Sequence, residues 1–181
     1  MSNKKIGPWE KKSSHIVYRN PWIQVEHSTV IQPDGAEGLY GVVHFTHWAL
    51  GAVVVDDHNR CILVGQHRFP LDEYSWEIPE GGGVIGEDPL MSIQREVHEE
   101  TGIIASEWLS LGKMHTSNSV CNETAFLYLA RGLTLGTAHP EGTEQLALQW
   151  VPFSEALQMA IDGRITDSLS LAGIFRATQV L

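Results

Sequence analysis

The sequence has few cysteines, few basic residues and no long apolar run. Its two cysteines, Cys61 and Cys121, lie far apart without C-x-x-C spacing, so we expect two reduced, partly buried thiols. Lysine and arginine number 12 against 22 acidic residues, and the net charge of -10 leaves no basic surface for nucleic acid or an anionic membrane. The longest apolar stretch, ALGAVVV at 49–55, is too short to span a bilayer, and the N-terminus lacks an apolar signal core. These absences predict a soluble, cytoplasmic protein with no nucleic-acid or membrane partner.

Strand-like and helix-like segments are mixed along the chain, with helices in the middle and at the end. Runs rich in β-branched residues flank the turn signal PDG at 33–35, and the short apolar runs AVVV and CILV are joined by the turn DDHNR. Helical spacing appears in SEALQMAID, which is capped by Gly163, and again after Asp167. We therefore predict an α/β fold, with a small N-terminal β appendage at residues 1–44 and the main domain at residues 45–181.

The segment between Gly-rich turns and Gly102 has the signals of one helix. Pro89 opens it and no further glycine or proline occurs before Gly102, which predicts a helix from about Pro89 to Thr101. Three glutamates at i, i+3 and i+4 project from one face of this helix: Glu96, Glu99 and Glu100. A neighbouring apolar stripe can pack on a core: Leu90, Ile93 and Val97. Such a charge cluster is usually a solvated face, so its flanking residues must decide whether it is functional.

Those flanking residues complete a longer pattern. Gly81 is followed after five residues by Glu87, and after seven more by REVHEETGI at 95–103. This segment resembles the Nudix box, G-x5-E-x7-R-E-U-x-E-E-x-G-U with U aliphatic, at every specified position. Four further segments resemble landmarks of the ADP-ribose and nucleoside-diphosphate-sugar hydrolase branch of that family: GQHRFP, WEIPEG, SNSVCNE and DGRITDSLSLAGI. The resemblance covers most of the chain and implies a Nudix-type α/β/α sandwich around a mixed β-sheet.

The resemblance also implies a metal site. Hydrolysis of a P–O–P linkage brings water to a phosphorus surrounded by anionic oxygens, so divalent cations are needed to neutralise charge. In the family, the first and last glutamates of REVHEE bind metal, which here implies Glu96 and Glu100, with Glu99 assisting. The backbone carbonyl before the box glycine also coordinates, and here it belongs to Glu80. Mg²⁺, with Mn²⁺ as a substitute, suits such oxygen donors.

Two further roles are implied by the downstream and upstream segments. In this branch a glutamate on a distant loop positions the attacking water, and the loop HPEGTEQ offers Glu141 and Glu144. Alignment on the strand QLALQWV favours Glu144, although one or both can be ordinary loop carboxylates. Arg68 matches the phosphate-binding arginine of the branch, and a guanidinium suits bidentate contact with a diphosphate. The alternative for Arg68 is a surface ion pair.

The remaining candidates concern the nucleotide base and the sugar. Trp22 and Tyr40 correspond to two aromatics that sandwich the base in ADP-ribose hydrolases of this branch, often across a dimer interface, so a homodimer is implied. Core packing is the alternative for both. Ser117 and Glu123 keep the branch's pattern of substrate contacts, but Asn118 replaces the proline associated with ADP-ribose preference. This departure weakens the case for ADP-ribose itself and leaves nucleoside diphosphate sugars as the expected substrate class.

The predicted activity is therefore metal-dependent hydrolysis of the diphosphate linkage of a nucleotide sugar, such as ADP-ribose, GDP-mannose or ADP-glucose. The products would be a nucleoside monophosphate and a sugar phosphate. One alternative is a Nudix hydrolase of another diphosphate derivative: a dinucleotide polyphosphate, coenzyme A or a damaged nucleoside triphosphate. Another alternative is a non-catalytic sensor of nucleotide sugars, but such modules commonly lose box carboxylates and none is lost here.

Overall fold

The computed structural model describes residues 4–138 and 145–181. In this part of the chain the strands are β1 (Lys4–Ile6), β2 (Trp9–Arg19), β3 (Ile23–Ile31), β4 (Glu37–Phe45), β5 (His47–Val54), β6 (Arg60–Arg68), β7 (Glu73–Glu77), β8 (Glu80–Val84), β9 (Ile103–His115), β10 (Thr124–Leu135) and β11 (Ala147–Pro152). The helices are α1 (Pro89–Thr101), α2 (Phe153–Asp162) and α3 (Ser168–Ala177). The chain forms two compact units: the first comprises Met1–His47 and His115–Glu123, and the second Trp48–Met114 and Thr124–Leu181.

The first unit is built on a four-stranded antiparallel sheet in the order β1-β2-β3-β4. The predicted turn joins β3 to β4, and Gly35 takes a φ of 88° there, a backbone conformation that favours glycine. Segment 115–123 lies along β4: Val43 N–H donates to the carbonyl of Val120 at 2.9 Å, and the carbonyl of Val43 accepts from Asn122 N–H at 3.2 Å. The predicted turn between two strands is confirmed, while the predicted boundary between residues 44 and 45 stays a prediction.

The second unit contains a mixed sheet in the order β8-β5-β10-β9 and an antiparallel sheet in the order β11-β6-β7. The central strands β5 and β10 are parallel. Because successive side chains of a strand point to opposite faces, β5 contributes to two apolar layers. On one face, three residues of β5 share a buried cluster with Ile93 and Val97 of α1: Leu50, Ala52 and Val54. On the other face, Val53 of β5 and Val55, just after the strand, share a cluster with residues of α2 and α3. The predicted α/β/α sandwich is confirmed.

Helix α1 has the predicted bounds because local signals fix both of its ends. The Asp88 side chain accepts from the N–H of Leu90 at 3.0 Å, and Pro89 occupies the first helical position, where no N–H is needed. Gly102 ends the helix in the left-handed conformation, with φ of 71°, and its N–H donates to the carbonyl of His98 at 2.8 Å. The predicted helix is therefore confirmed, with its apolar stripe in the core.

Two further expectations concern thiols and membranes. Both cysteines are free thiols, as predicted; Cys121 is half-buried as expected, whereas Cys61 is fully buried. Within residues 4–138 and 145–181, no helix has the length and apolar character that crossing a membrane requires.

Candidate functional site

The three glutamates of α1 differ in burial, because they lie at different angles from the core. At 100° per residue, Glu100, Glu96 and Glu99 lie about 60°, 100° and 160° around the helix from the buried Val97. Glu100 is 4% exposed, and the side chains of Glu96 and Glu99 are 17% and 33% exposed. The three glutamates of the predicted face therefore differ in exposure: Glu100 is nearest the core and Glu99 is nearest the solvent. In the sequence, the angle of each glutamate from Val97 around the helix already indicates which of the three is most buried.

Two of these carboxylates lie against the same stretch of backbone, residues 80–81 at the start of β8. The N–H of Glu80 donates to Oε2 of Glu100 at 3.2 Å. Gly81 lies so close to Glu96 that an added Cβ would overlap the Cγ, Cδ and Oε2 atoms of Glu96. The box glycine is therefore required here for close approach to a carboxylate.

Arg95 holds the two less buried glutamates. Its Nη1 donates to Oε2 of Glu99 at 2.8 Å, and its Nη2 donates to Oε1 of Glu96 at 2.7 Å. Nη2 also lies 3.4 Å from the carbonyl of Gly82. Like charges three or four residues apart destabilise a helix by about 0.2–0.5 kcal/mol per pair, and the guanidinium offsets this repulsion.

The donor set fits a hard divalent cation bound partly by water. In residues 4–138 and 145–181, no three His, Cys, Asp or Glu side chains are grouped as a metal site. Mg²⁺, however, commonly binds through one or two carboxylates and keeps several waters. Glu96 and Glu100 could offer two carboxylates to such a cation, and both lie against the backbone at residues 80–81. The arrangement thus suits an open, hydrated cation and does not form a closed cage of side chains.

The side chain of Glu80 points to the opposite helix, α3. Ser170 Oγ donates to Oε1 of Glu80 at 2.8 Å. Desolvation of the carboxyl group raises the pKa of Glu80 well above its usual range, and the carboxylates of Asp167 and Glu77 raise it further. This environment favours the protonated form of the Glu80 side chain.

Arg68 is paired with a buried carboxylate, Glu77, that the sequence analysis did not single out. Its Nε donates to Oε1 of Glu77 at 2.9 Å, and its Nη2 donates to Oε2. The Glu77 side chain is 3% exposed, whereas that of Arg68 is 38% exposed and borders a cleft of about 380 Å³. In the sequence, Glu77 lies between Trp76 and Ile78, and a carboxylate among apolar residues indicates a buried group that needs a cationic partner. The predicted phosphate contact is thus an arginine oriented by a buried partner.

The first unit holds the two aromatic candidates. The Tyr40 ring packs edge-to-face on Trp9 with centroids 5.4 Å apart, and its hydroxyl donates to the carbonyl of Ser119 at 2.8 Å. Trp22 is 66% exposed. Trp22 directly precedes Ile23, which pairs with Phe45 at one end of the β3–β4 ladder. Tyr40 pairs with Ser28, five residue pairs further along, and at about 3.4 Å per residue the two positions are about 17 Å apart. Within one chain, Trp22 and Tyr40 therefore do not form a sandwich.

The loop that carries Ser117 and Glu123 is ordered by its own hydrogen bonds. The carbonyl of Ser117 accepts from the N–H groups of Val120 and Cys121 at 3.0 and 2.9 Å. Thr116 Oγ1 donates to Oε2 of Glu123 at 2.7 Å. The two candidates for positioning the water lie outside the described residues: Glu141 and Glu144.

Comparison with protein families covers most of the chain. The family described as "NUDIX domain" matches residues 45–169. The family described as "Nucleoside diphosphate sugar hydrolase N-terminal domain" matches residues 9–43. Between them, the two matches include the glutamates of α1 and both aromatic candidates.

Individual relatives agree with these matches. An ADP-ribose pyrophosphatase from Mycobacterium tuberculosis is 32% identical over 171 residues, which cover 92% of this chain and 81% of that protein. A CMP-5'-(N-acetyl-N-hydroxy-3-aminopropyl)phosphonate hydrolase from Streptomyces rubellomurinus is 28% identical over 170 residues, covering 92% and 80%. A crystal structure of an ADP compounds hydrolase superposes with a TM-score of 0.87 over 98% of this chain and 96% of that one. At 18% identity, that likeness establishes the fold.

Proposed function

Since the chain belongs to the Nudix hydrolase family, we propose that it hydrolyses the diphosphate linkage of a nucleoside diphosphate sugar with the help of a divalent cation. The products are a nucleoside monophosphate and a sugar phosphate. The observation that supports this most directly is the position of Glu96 and Glu100 against the backbone at residues 80–81. On a solvated acidic surface without a function, Glu96 would not need a glycine beside it, and Glu100 would not need a hydrogen bond from the Glu80 N–H.

The proposed metal ligands are oxygen donors around residues 80–81. Glu96 and Glu100 would hold Mg²⁺ or Mn²⁺, with the carbonyl of Glu80 and the carboxylate of Glu99 as further donors. When bound, the cation neutralises negative charge on the diphosphate and on the attacking oxygen. The chain's own contribution is to keep these donors in place: the Glu80 N–H orients Glu100, and Arg95 orients Glu96 and Glu99.

Arg68 is the proposed contact for the diphosphate oxygens. Its pairing with Glu77 fixes the guanidinium before a ligand arrives, so less side-chain freedom is lost on binding. The guanidinium of Arg68 borders a cleft, so its exposed N–H groups can donate to phosphate oxygens while its Nε and Nη2 remain bonded to Glu77. Glu144, or failing that Glu141, is proposed to position the attacking water.

The base is proposed to stack between Trp22 and Tyr40. Because the two rings lie far apart on the ladder of one chain, the proposal requires Trp22 from one protomer and Tyr40 from its partner, and hence a homodimer. The exposure of Trp22 is compatible with such a role, since an exposed indole gains buried area when a base packs on it. Ser117 and Glu123 are the remaining proposed substrate contacts.

The choice among nucleotide sugars is left to direct assay. Of the two relatives described above, the first is named for ADP-ribose and the second for a CMP-linked phosphonate. Relatives of similar sequence identity therefore differ in the base of the compound they are named for. The experiment is incubation of the full chain with ADP-ribose, ADP-glucose, GDP-mannose or UDP-glucose, each with Mg²⁺, with Mn²⁺ or with EDTA. We expect a nucleoside monophosphate and a sugar phosphate only when a cation is present. Release of pyrophosphate from nucleoside triphosphates, with no cleavage of any nucleotide sugar, would contradict the proposal.

A further inference from the structure

Ser170, in the first turn of α3, is fully buried and holds two groups of the segment at residues 78–81, where β7 passes into β8. Its Oγ accepts from the N–H of Ile78 at 3.0 Å and donates to Oε1 of Glu80 at 2.8 Å. Its own N–H donates to the side chain of Asp167 at 2.7 Å, which caps the helix. The hydroxyl therefore sits at a fixed point of α3 and spans two residues of the segment.

The same segment is held on its other side by different groups. The carbonyl of Pro79 accepts from the N–H of Ala52 in β5 at 2.9 Å, and the N–H of Glu80 donates to Glu100 at 3.2 Å. The next residue is Gly81, which lies against Glu96. The position of the backbone at residues 80–81 relative to the α1 carboxylates thus depends on a short series of hydrogen bonds, two of which go to Ser170.

We propose that Ser170 is a positioning residue of the metal site, whose hydroxyl fixes the backbone at residues 80–81 in the place where Glu96 and Glu100 share a divalent cation. The inference rests on the proposed function, because it assigns a role to Ser170 only if a cation binds there. The role is distinct from core packing, since a methyl group could fill the same space. Without the hydroxyl, the Ile78 N–H and the Glu80 carboxyl group lose a partner, and fewer hydrogen bonds fix the segment relative to α1.

The test is the affinity of the substrate-free protein for Mn²⁺, measured by electron paramagnetic resonance, in the parent and in Ser170→Ala. Groups that orient metal ligands typically contribute about 10–100-fold to metal affinity, so we expect a loss of at least about tenfold. At saturating Mn²⁺, kcat should recover most of its parent value. Ser170→Thr keeps the hydroxyl and should bind Mn²⁺ within about threefold of the parent.

A matched control is Ser28→Ala in the first unit. Ser28 is also buried, and its hydroxyl also donates to a glutamate, Glu26, at 2.9 Å. We expect Ser28→Ala to lower the melting temperature in EDTA as Ser170→Ala does, with Mn²⁺ affinity unchanged. If Ser170→Ala does not fold, Ser170→Cys replaces it, because the thiol keeps the volume but is a weak hydrogen-bond partner.

The possible results separate this inference from the proposed function. If the parent binds Mn²⁺, Glu96→Gln loses that binding, and the Ser170 variant binds as the parent does, then the role of Ser170 is overturned and the metal site stands. If Glu96→Gln binds Mn²⁺ as well as the parent does, the metal site is overturned, and the role of Ser170 with it. An equal loss of Mn²⁺ affinity in Ser28→Ala and Ser170→Ala would also overturn the inference, because a general loss of stability would then explain both.

Discussion

The N–H of Glu80 donates a hydrogen bond to the buried carboxylate of Glu100. A carboxylate removed from water is costly unless hydrogen bonds or cations compensate it. The link between these two residues therefore connects the backbone that precedes the box glycine to the most enclosed of the α1 glutamates. It also allows the charge of Glu100 to be removed while its hydrogen bond is kept.

Glu100→Gln should abolish most turnover while preserving the fold. The amide oxygen can still accept from Glu80, and the side chain keeps its size, so the melting temperature in EDTA should change little. Loss of one anionic ligand should lower kcat/KM by on the order of 10³, or about 4 kcal/mol. Glu107→Gln, at an exposed position of β9, is the matched control and should behave as the parent. A Glu100→Gln variant that melts normally and keeps more than about a tenth of its activity, a loss under about 1.4 kcal/mol, would show that Glu100 is not a metal ligand.

Gly81→Ala should disturb the site through Glu96. A Cβ at Gly81 would overlap the end of the Glu96 side chain, which can rotate away because it is partly exposed. We therefore expect a folded protein whose activation constant for Mg²⁺ rises by about tenfold or more, as for other displaced ligands. Gly41→Ala is the control, since a Cβ there meets no atom within 4 Å. Equal Mg²⁺ dependence in both variants would mean that close approach at Gly81 has no bearing on metal binding.

Arg68→Ala should have two separable effects. The variant leaves the buried Glu77 carboxylate without its cation; breaking fully buried pairs costs about 3–5 kcal/mol, and the partial exposure of Arg68 reduces this to about 2 kcal/mol. Adding Glu77→Gln removes the uncompensated charge, so urea unfolding of the double variant should show recovered stability. If Arg68 contacts phosphate, KM should stay high in both variants. A double variant that regains the parent KM would limit Arg68 to a structural role.

Trp22→Ala and Tyr40→Leu should complement each other when mixed. If each base site takes Trp22 from one protomer and Tyr40 from its partner, both single variants should have a raised KM. Unfolding and refolding the two together should make mixed dimers with one intact site, giving about a quarter of the parent's high-affinity sites. The control is mixing each variant with itself. A sum of the two separate activities, or a monomer in sedimentation at micromolar concentration, would contradict the shared site.

The two thiols should differ in reactivity. Burial raises the pKa of Cys61 to about 12. Partial burial also acts to raise the pKa of Cys121, but hydrogen bonds from Thr116 and from backbone N–H groups outweigh it and lower the pKa. At pH 8 a disulfide reagent should therefore titrate one thiol in the native protein and two in urea, because the thiolate is the reactive form. Cys121→Ser should remove the native reaction; rapid labelling of Cys61 in that variant would show that the core opens.

The parts of the fold that follow from local chemistry could be predicted. The bounds of α1 depend on Asp88, Pro89 and Gly102, which lie within or next to the helix itself. The turn at Gly35 and the cap at Gly163 are likewise set by residues at those positions. Membership of the Nudix family was confirmed, because the box is a contiguous pattern whose spacing survives in the sequence.

Contacts between distant segments could not be predicted. Ser170 lies 90 residues from Glu80, and nothing local marks its hydroxyl as a partner. The β6–β7 register pairs Arg68 with Glu73 and Glu77 with Val64, so the contact between the Arg68 and Glu77 side chains runs along the strands and follows from no local pattern. The roles of Glu141 and Glu144 depend on a segment beyond the described residues and stay predictions.

The bond from Val43 to Val120 has a consequence for synthesis of the chain. Strand β4 is complete when residue 45 leaves the ribosome, but the segment that pairs with it, 115–123, is made about seventy residues later, several seconds at about 5–20 residues per second. During that interval β4 is an open sheet edge, the kind of surface that recruits other strands. The first unit therefore cannot be completed until residues 115–123 are made, although its sheet is synthesised first. A fragment that ends before residue 115 should aggregate through the exposed edge of β4.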